Sequence, residues 1–255
     1  MAADAAHRLT ERLAAIADAL RARADALALI ALGSAAHDLE RVDVWSDLDF
    51  LVVVAAGGKA RILERLDWLV AARPIVWRFR HTADGCRALM DDDLFCEFSV
   101  YEAQELAGVA FAPGRVVWAR EGVDAAIATP QRTLPRPTTD ETWIVGEALS
   151  CLLTGLARWR RGERLAALRL VQGDALDRLI ELDALRSHPV AGDPFDATRR
   201  LEDRHPALAD ELAALAPGYA HTPQAALALL DALARRGARL PEPVVRRVRA
   251  LAAPG

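Results

Sequence analysis

Three carboxylate side chains lie within or at the start of strongly apolar segments. A charge in a segment that is expected to be buried is unfavourable unless it is paired or binds a cation. Asp47 and Asp49 flank a leucine at the entry to the segment WSDLDFLVVV, and Glu97 interrupts the apolar segment FCEFSV. Alternate residues of a strand face the same side, about 6.6 Å apart along it, so the two aspartates would repel each other. A hard divalent cation such as Mg²⁺ or Mn²⁺ removes that repulsion and keeps coordination positions for a phosphate. The pair therefore indicates a metal platform at a strand end.

A second candidate element is the turn LGS that closes the preceding apolar segment, ALALIALG. Gly33 would let the backbone approach a ligand closely. The Ser34 hydroxyl and the N–H groups at a helix start would receive phosphate. Each feature also has an ordinary structural interpretation. The aspartates could be solvated turn residues, the Gly-Ser pair a plain strand-to-helix turn, and Glu97 a water-facing residue of an edge strand.

The order of these features resembles the nucleotidyltransferase superfamily, the group that contains DNA polymerase β and the antibiotic nucleotidyltransferases. Its pattern is an apolar residue, Gly, then Gly or Ser, a gap, and Asp-x-Asp or Asp-x-Glu, with a third carboxylate on a later strand. Here the match runs from Leu32 to Phe98, with twelve residues between Ser34 and Asp47. The layout is similar to that of bacterial lincosamide and aminoglycoside nucleotidyltransferases, in which a helical domain faces the catalytic sheet.

The resemblance implies a role for each motif residue. Asp47 and Asp49 would hold Mg²⁺ and with it a nucleoside triphosphate, expected to be ATP. Glu97 would be a further metal ligand or the base that activates the acceptor hydroxyl, and Gly33 and Ser34 would contact the β- and γ-phosphates. The hydroxyl would attack the α-phosphorus in line and release pyrophosphate, with the metals neutralising charge on the attacking and leaving oxygens.

The periodicity of the apolar residues predicts the elements that position this motif. Residues 4–24 have the three- and four-residue spacing of an amphipathic helix, and 26–33 and 48–54 are short enough for buried strands. A helix over 58–73, a β-meander or hairpin, and a last edge strand at 115–119 follow. The fold class expected is α+β: an N-terminal nucleotidyltransferase mixed β-sheet flanked by helices, then an all-helical C-terminal bundle. The domain bounds expected are 1–128 for the catalytic domain, 129–139 for a Pro-rich linker, and 140–255 for the helical domain.

The helical half is expected to shape the acceptor cleft. Its predicted helices cover 140–160, 163–186, 196–215, 223–236 and 242–252. In the second, Leu165, Leu168, Leu176 and Leu179 would form one apolar face, with Arg169 and Gln172 beside it as candidate substrate contacts. Glu147 could orient a hydroxyl, act as the base if Glu97 is only a ligand, or form a structural pair with an arginine. The apolar face of QAALALLDALARR would serve packing within the domain or a homodimer.

Composition excludes several other classes of protein. The net charge of −4 disfavours a nucleic-acid partner, and no apolar run of about 18 residues predicts a membrane span. Three scattered cysteines and a polar N-terminal segment favour a cytoplasmic location. Neither a G-x-S-x-G elbow nor a G-x-x-x-x-G-K-[ST] loop occurs. The acidic run Asp91–Asp93 is interpreted as a solvated hairpin loop.

These observations favour an enzyme that transfers a nucleoside monophosphate to a hydroxyl of a small molecule. The acceptor could be an antibiotic, which would make the chain a bacterial resistance-type protein. One alternative is a toxin–antitoxin-type nucleotidyltransferase that modifies a protein side chain. The other is a catalytically silent regulator that binds a nucleotide without turnover.

Overall fold

A computed structural model describes residues 2–132, 138–187 and 196–253. The chain divides into two compact units, residues 1–134 and 135–255. The boundary falls within the predicted linker 129–139, of which residues 133–137 lie outside the described residues. The function assigned to each domain stays a prediction.

Over its described residues, the first unit combines six strands with four α-helices. The strands are β1 (Ala26–Ala31), β2 (Leu48–Val54), β3 (Ile75–Arg80), β4 (Gly85–Met90), β5 (Phe95–Glu102) and β6 (Arg115–Ala119). The helices are α1 (Ala2–Arg21), α2 (Ser34–His37), α3 (Lys59–Glu64) and α4 (Asp67–Ala72). Short 3₁₀ turns cover Leu39–Arg41, Ala103–Gly108 and Ala125–Ala128.

The strands form one mixed sheet in the order β3-β4-β5-β2-β1-β6. β2 and β5 run parallel, and the other four neighbouring pairs are antiparallel. The predicted α+β class, the meander β3–β4–β5 and the edge position of β6 are confirmed. β5 lies between β4 and β2, so the interpretation of the Glu97 strand as a sheet edge is wrong.

One face of the sheet is buried along most of its width. Phe50 and Phe98 stack with ring centroids 5.1 Å apart, and Trp68 of α4 meets both rings edge-on. Leu13 and Ile16 of α1 join the same core. Side chains alternate along a strand, so the residues between these core positions point to the opposite face. That second face carries Asp49 and Glu97.

The single helix predicted over 58–73 is instead two helices. The chain leaves the helical conformation at Arg65, where α3 ends. Trp68 of α4 then donates its indole N–H to the carbonyl of Ile62 at 3.0 Å. The break lets Ile62 and Trp68 both be buried in the core, which one straight helix would not achieve.

The second unit is helical. Its helices are α5 (Glu141–Arg160), α6 (Arg164–Leu168), α7 (Leu176–Ser187), α8 (Leu201–Arg204), α9 (Pro206–Ala209), α10 (Leu212–Leu215), α11 (Thr222–Arg235) and α12 (Glu242–Ala252). A π-helical segment, Arg169–Ala175, joins α6 to α7, and a 3₁₀ turn covers Tyr219–His221. α11 buries its apolar face, including Leu229, Leu230 and Leu233, in the core of this unit. Packing within the domain is confirmed for that helix, and the oligomeric state stays untested.

Two helix predictions in this unit need correction. The π-helical segment carries more residues per turn than an α-helix, so the leucine stripe expected over 163–186 does not stay on one face. Leu179 is buried, but Leu165 is 57% exposed. The helix expected over 196–215 is divided into three short ones. Pro206 begins the second of them, because proline cannot donate the N–H that would continue the first.

Across the described ranges, no helix is both long and apolar enough to cross a membrane.

Candidate functional site

The sheet register brings two of the predicted carboxylates side by side. Asp49 of β2 and Glu97 of β5 are direct partners across the parallel pair. Glu97 is in turn the antiparallel partner of Arg87 of β4, and Arg87 is the partner of Phe79 of β3. Partnered residues point to the same face. Asp49, Glu97, Arg87 and Phe79 therefore form one row across four strands, called here the carboxylate row.

Asp47 lies in the turn before β2. The side chain of Asp43 accepts hydrogen bonds from the backbone N–H of Trp45 at 2.9 Å and from the Ser46 hydroxyl at 3.1 Å. This local turn fixes the direction in which the chain approaches the strand. Asp47 is half-buried and precedes Leu48, the first residue of β2. It lies at the end of the strand that carries Asp49.

Gly33 packs against the Asp49 side chain. The N–H of Leu32 donates to the carbonyl of Asp49 at 2.8 Å, which ties the end of β1 to β2. Gly33 then has φ +56° and ψ −143°, and a Cβ there would stand 3.1 Å from Oδ2 of Asp49. Such a positive φ favours glycine. The turn thus puts backbone without a side chain beside Asp49, a candidate metal ligand. Ser34 begins the four-residue helix α2.

Glu97 has an ion pair on this face of the sheet. Arg87 donates from Nε to Oε2 of Glu97 at 2.8 Å, and Nε2 of His81 lies 3.5 Å from Oε1. The hydrogen bond to Glu97 raises the pKa of Arg87. Gly85 makes room for this arrangement, because a Cβ there would be 2.7 Å from Cε1 of His81. Glu97 is 38% exposed, so the pair is solvated on one side.

Arg87 and His81 were not singled out from the sequence. Arg87 sits ten residues before Glu97, a spacing that carries no signal by itself, and only the hairpin register makes them partners. The sequence does contain Gly85 and the turn residues of the ADG segment, which predict the hairpin. Pairing the residues of the two predicted strands across this hairpin would have identified Arg87 and Glu97 as partners.

Cys96, on the opposite face of β5, has an unreactive thiol. Burial raises the pKa of the Cys96 thiol to about 12. The charge of Arg12 lowers this pKa, and the charges of Asp92, Asp49 and Asp47 raise it. A thiol with so high a pKa stays protonated and is a poor nucleophile. Cys96 therefore serves packing, as expected from the sequence.

The donor set fits a hard divalent cation in part. Asp47 and Asp49 supply carboxylate oxygens at a strand end, and Gly33 leaves room beside Asp49 that any side chain would fill. Glu97 lies next in the row but is paired with Arg87. Within the described ranges, no three Asp, Glu, His or Cys side chains are arranged as a ready metal site. The metal assignment to Asp47, Asp49 and Glu97 stays a prediction, in which a cation would compete with Arg87 for Glu97.

The other candidate contacts lie in the helical unit. Glu147 is exposed on α5, and Arg169 is exposed at the start of the π-helical segment. Gln172 donates to the carbonyl of Gly218 at 2.9 Å and to Oγ1 of Thr222 at 3.0 Å, and it accepts from the N–H of Gly218 at 2.8 Å. These bonds give Gln172 a structural role, since they hold the loop before α11. Substrate contact by these three residues stays a prediction.

Comparison with known proteins gives a distant structural likeness and no closer relative. No protein-family model matches the chain, and no curated protein does. Among solved structures, the chain is similar to an aminoglycoside 6-adenyltransferase from Bacillus subtilis, with 13% identity and a TM-score of 0.33. The match covers 95% of this chain and 98% of the other. A likeness this low assigns neither function nor site, so both must be argued from the residues themselves.

Proposed function

We propose that the protein is a Mg²⁺-dependent nucleotidyltransferase that moves a nucleoside monophosphate from a triphosphate, ATP in the first instance, to a hydroxyl of a small molecule. The observation that carries this proposal is the register that makes Asp49 and Glu97 partners, with Gly33 packed against Asp49. Two adjacent carboxylates beside accessible backbone suit a metal-bound triphosphate. The sequence motif, Gly-Ser followed by Asp-x-Asp, supports the same chemistry.

Each residue has a defined task in this reaction. Asp47 and Asp49 would hold Mg²⁺, which would neutralise charge on the transferring phosphoryl group. The acceptor oxygen forms a bond to the α-phosphorus while the bond from that phosphorus to the bridging oxygen breaks, and pyrophosphate leaves. The acceptor proton passes to a carboxylate, for which Glu97 of the first unit is the candidate. Arg87 lies next to Glu97 and supplies a cation for anionic phosphate oxygens.

The experiment uses the full chain with labelled ATP, Mg²⁺ and a panel of hydroxylated small molecules that includes aminoglycosides and lincosamides. We expect metal-dependent label on a small molecule. Asp47→Asn and Asp49→Asn should each lower the rate about 100-fold or more, the scale on which removal of an electrostatic stabiliser acts. Asp38→Asn is the matched control, because Asp38 pairs with Arg41 and lies outside the carboxylate row.

The alternatives give different results in the same experiment. Label on a protein side chain would replace the small-molecule acceptor with a protein target. Nucleotide binding without any labelled product would make the chain a silent regulator. Transfer that persists in both aspartate variants would refute the assignment of the site.

A further inference from the structure

An aromatic pair lies at the far end of the carboxylate row. Trp77 and Phe79 of β3 stack with ring centroids 6.2 Å apart and an interplanar angle of 29°. They are 48% and 52% exposed, respectively. Large exposed aromatic side chains on a sheet need an explanation, because burial of such rings is strongly favourable. The nucleotidyl transfer proposed above assigns no role to either ring.

The register places these rings on the same face as the carboxylates. Phe79 is the partner of Arg87, which bonds Glu97, and Trp77 contacts Phe79 on that face. Trp77 is also the partner of Leu89, and Leu89 is the partner of Phe95. Trp77, Leu89 and Phe95 thus form a second, apolar row beside the carboxylate row. Phe95 directly precedes Cys96, the residue of β5 that is the partner of Leu48 at the start of β2.

The distances across the sheet suit an extended ligand. Neighbouring strands lie about 4.8 Å apart, so Phe79 is about 10 Å from Glu97 and about 14 Å from Asp49, measured between strand axes. From β2 to β3, this face presents two carboxylates (Asp49 and Glu97), then the guanidinium of Arg87, then the aromatic rings. A nucleotide has the matching order of a metal-bound triphosphate, a sugar and a planar base.

We propose that Trp77 and Phe79 form the platform on which the base of the nucleoside triphosphate stacks. This inference depends on the proposed function for the identity of the ligand. Stacking on aromatic rings tolerates every base, because each has a π-face. The platform would therefore bind nucleoside triphosphates as a class, with weak discrimination between ATP, GTP, CTP and UTP.

Calorimetric titration of the full chain with MgATP and with magnesium tripolyphosphate tests this platform. Tripolyphosphate carries the phosphates without a base. The double variant Trp77→Ala/Phe79→Ala should weaken MgATP binding about 5- to 100-fold and leave tripolyphosphate binding unchanged. Trp77→Phe/Phe79→Tyr, which keeps both rings, should restore affinity for MgATP. Arg78→Ala is the matched control, since Arg78 pairs with Ala88 of the buried face and points away from the rings.

The outcomes separate this inference from the proposed function. If the alanine variant binds MgATP as tightly as the wild type, or loses tripolyphosphate binding equally, the platform is refuted. A change confined to the KM of an aromatic acceptor would also refute it, because the rings would then serve the acceptor. Base-dependent binding without any transfer product would uphold the platform and refute only the transferase assignment. Both rings are half-buried and stacked, so the alanine variant should keep a single cooperative thermal transition at a lower midpoint, which confirms that it is folded.

Discussion

Replacing Gly33 by alanine tests whether the turn after β1 positions Asp49. The change has two separable effects. Gly33 has φ +56° and ψ −143°, close to a region that only glycine adopts readily, and other residues there cost about 1–3 kcal/mol. The new Cβ would also stand 3.1 Å from Oδ2 of Asp49, which is tight enough to displace the carboxylate by a few tenths of an ångström.

The magnitudes differ for stability and for function. For a chain of this size, 1 kcal/mol shifts the midpoint of thermal unfolding by about 2–4 °C, so Gly33→Ala should lower it by about 2–12 °C. Misplacement of a catalytic group by about 1 Å costs about 100-fold in rate. The smaller displacement expected for Asp49 should therefore lower kcat/KM for MgATP about 10-fold. Differential scanning calorimetry and initial rates of nucleotidyl transfer measure the two effects.

Gly57→Ala is the matched control for this variant. Gly57 also has a positive φ, +77°, but a Cβ there would meet nothing within 4 Å. It should lose comparable stability through backbone strain and keep wild-type affinity for MgATP and wild-type rates. If Gly33→Ala behaves like Gly57→Ala in both measurements, the contact with Asp49 has no functional role and the reasoning about this turn is refuted.

Two further variants test ion pairs of the first unit. Burial pushes the pKa of Asp92 upward, but the hydrogen bond from Arg12 and the charges of Arg12, Arg8 and Arg73 outweigh it and leave that pKa lowered. This stabilisation is present above the unfolded-state pKa and is lost as pH falls through the folded pKa. Asp92→Asn should therefore cost about 1–3 kcal/mol at pH 7 in urea unfolding, and less at pH 3; an equal cost at both pH values would contradict the pairing. Arg87→Gln should tighten Mg²⁺ binding without nucleotide about 2- to 5-fold, the scale of a solvated ion pair, because it frees Glu97. Unchanged affinity in a Mg²⁺ titration would show that Glu97 is not a ligand.

The local elements of the first unit follow closely from the sequence. The segment LDFLVVV gave a strand with the observed bounds, Leu48–Val54, because a short apolar run bounded by turn residues favours a buried strand. The hairpins also follow, since ADG and DDD have turn chemistry. The boundaries of longer helices do not follow. The break at Arg65 and the π-helical segment 169–175 arise from packing, which periodicity does not encode.

The site is less predictable, because strand order decides it. Glu97 was expected at an edge, facing water, or near the aspartates; only the insertion of β5 beside β2 selects the second arrangement. The partner of Asp92 was missed for the same reason. Asp91–Asp93 does form the loop between β4 and β5, but Asp92 receives a hydrogen bond at 2.9 Å from Arg12, 80 residues away along the chain. Pairings of this length leave no local signal in the sequence.

The Arg87–Glu97 pair explains how the sheet tolerates its row of charges. Like charges directly opposite each other on neighbouring strands are destabilising, and Asp49 and Glu97 are such partners. Arg87, on the next strand, places a guanidinium 2.8 Å from Glu97 and compensates one of the two charges. The first unit can therefore fold with its carboxylates already adjacent, before any cation binds. It follows that a divalent cation should matter far more for nucleotide binding than for the stability of the fold.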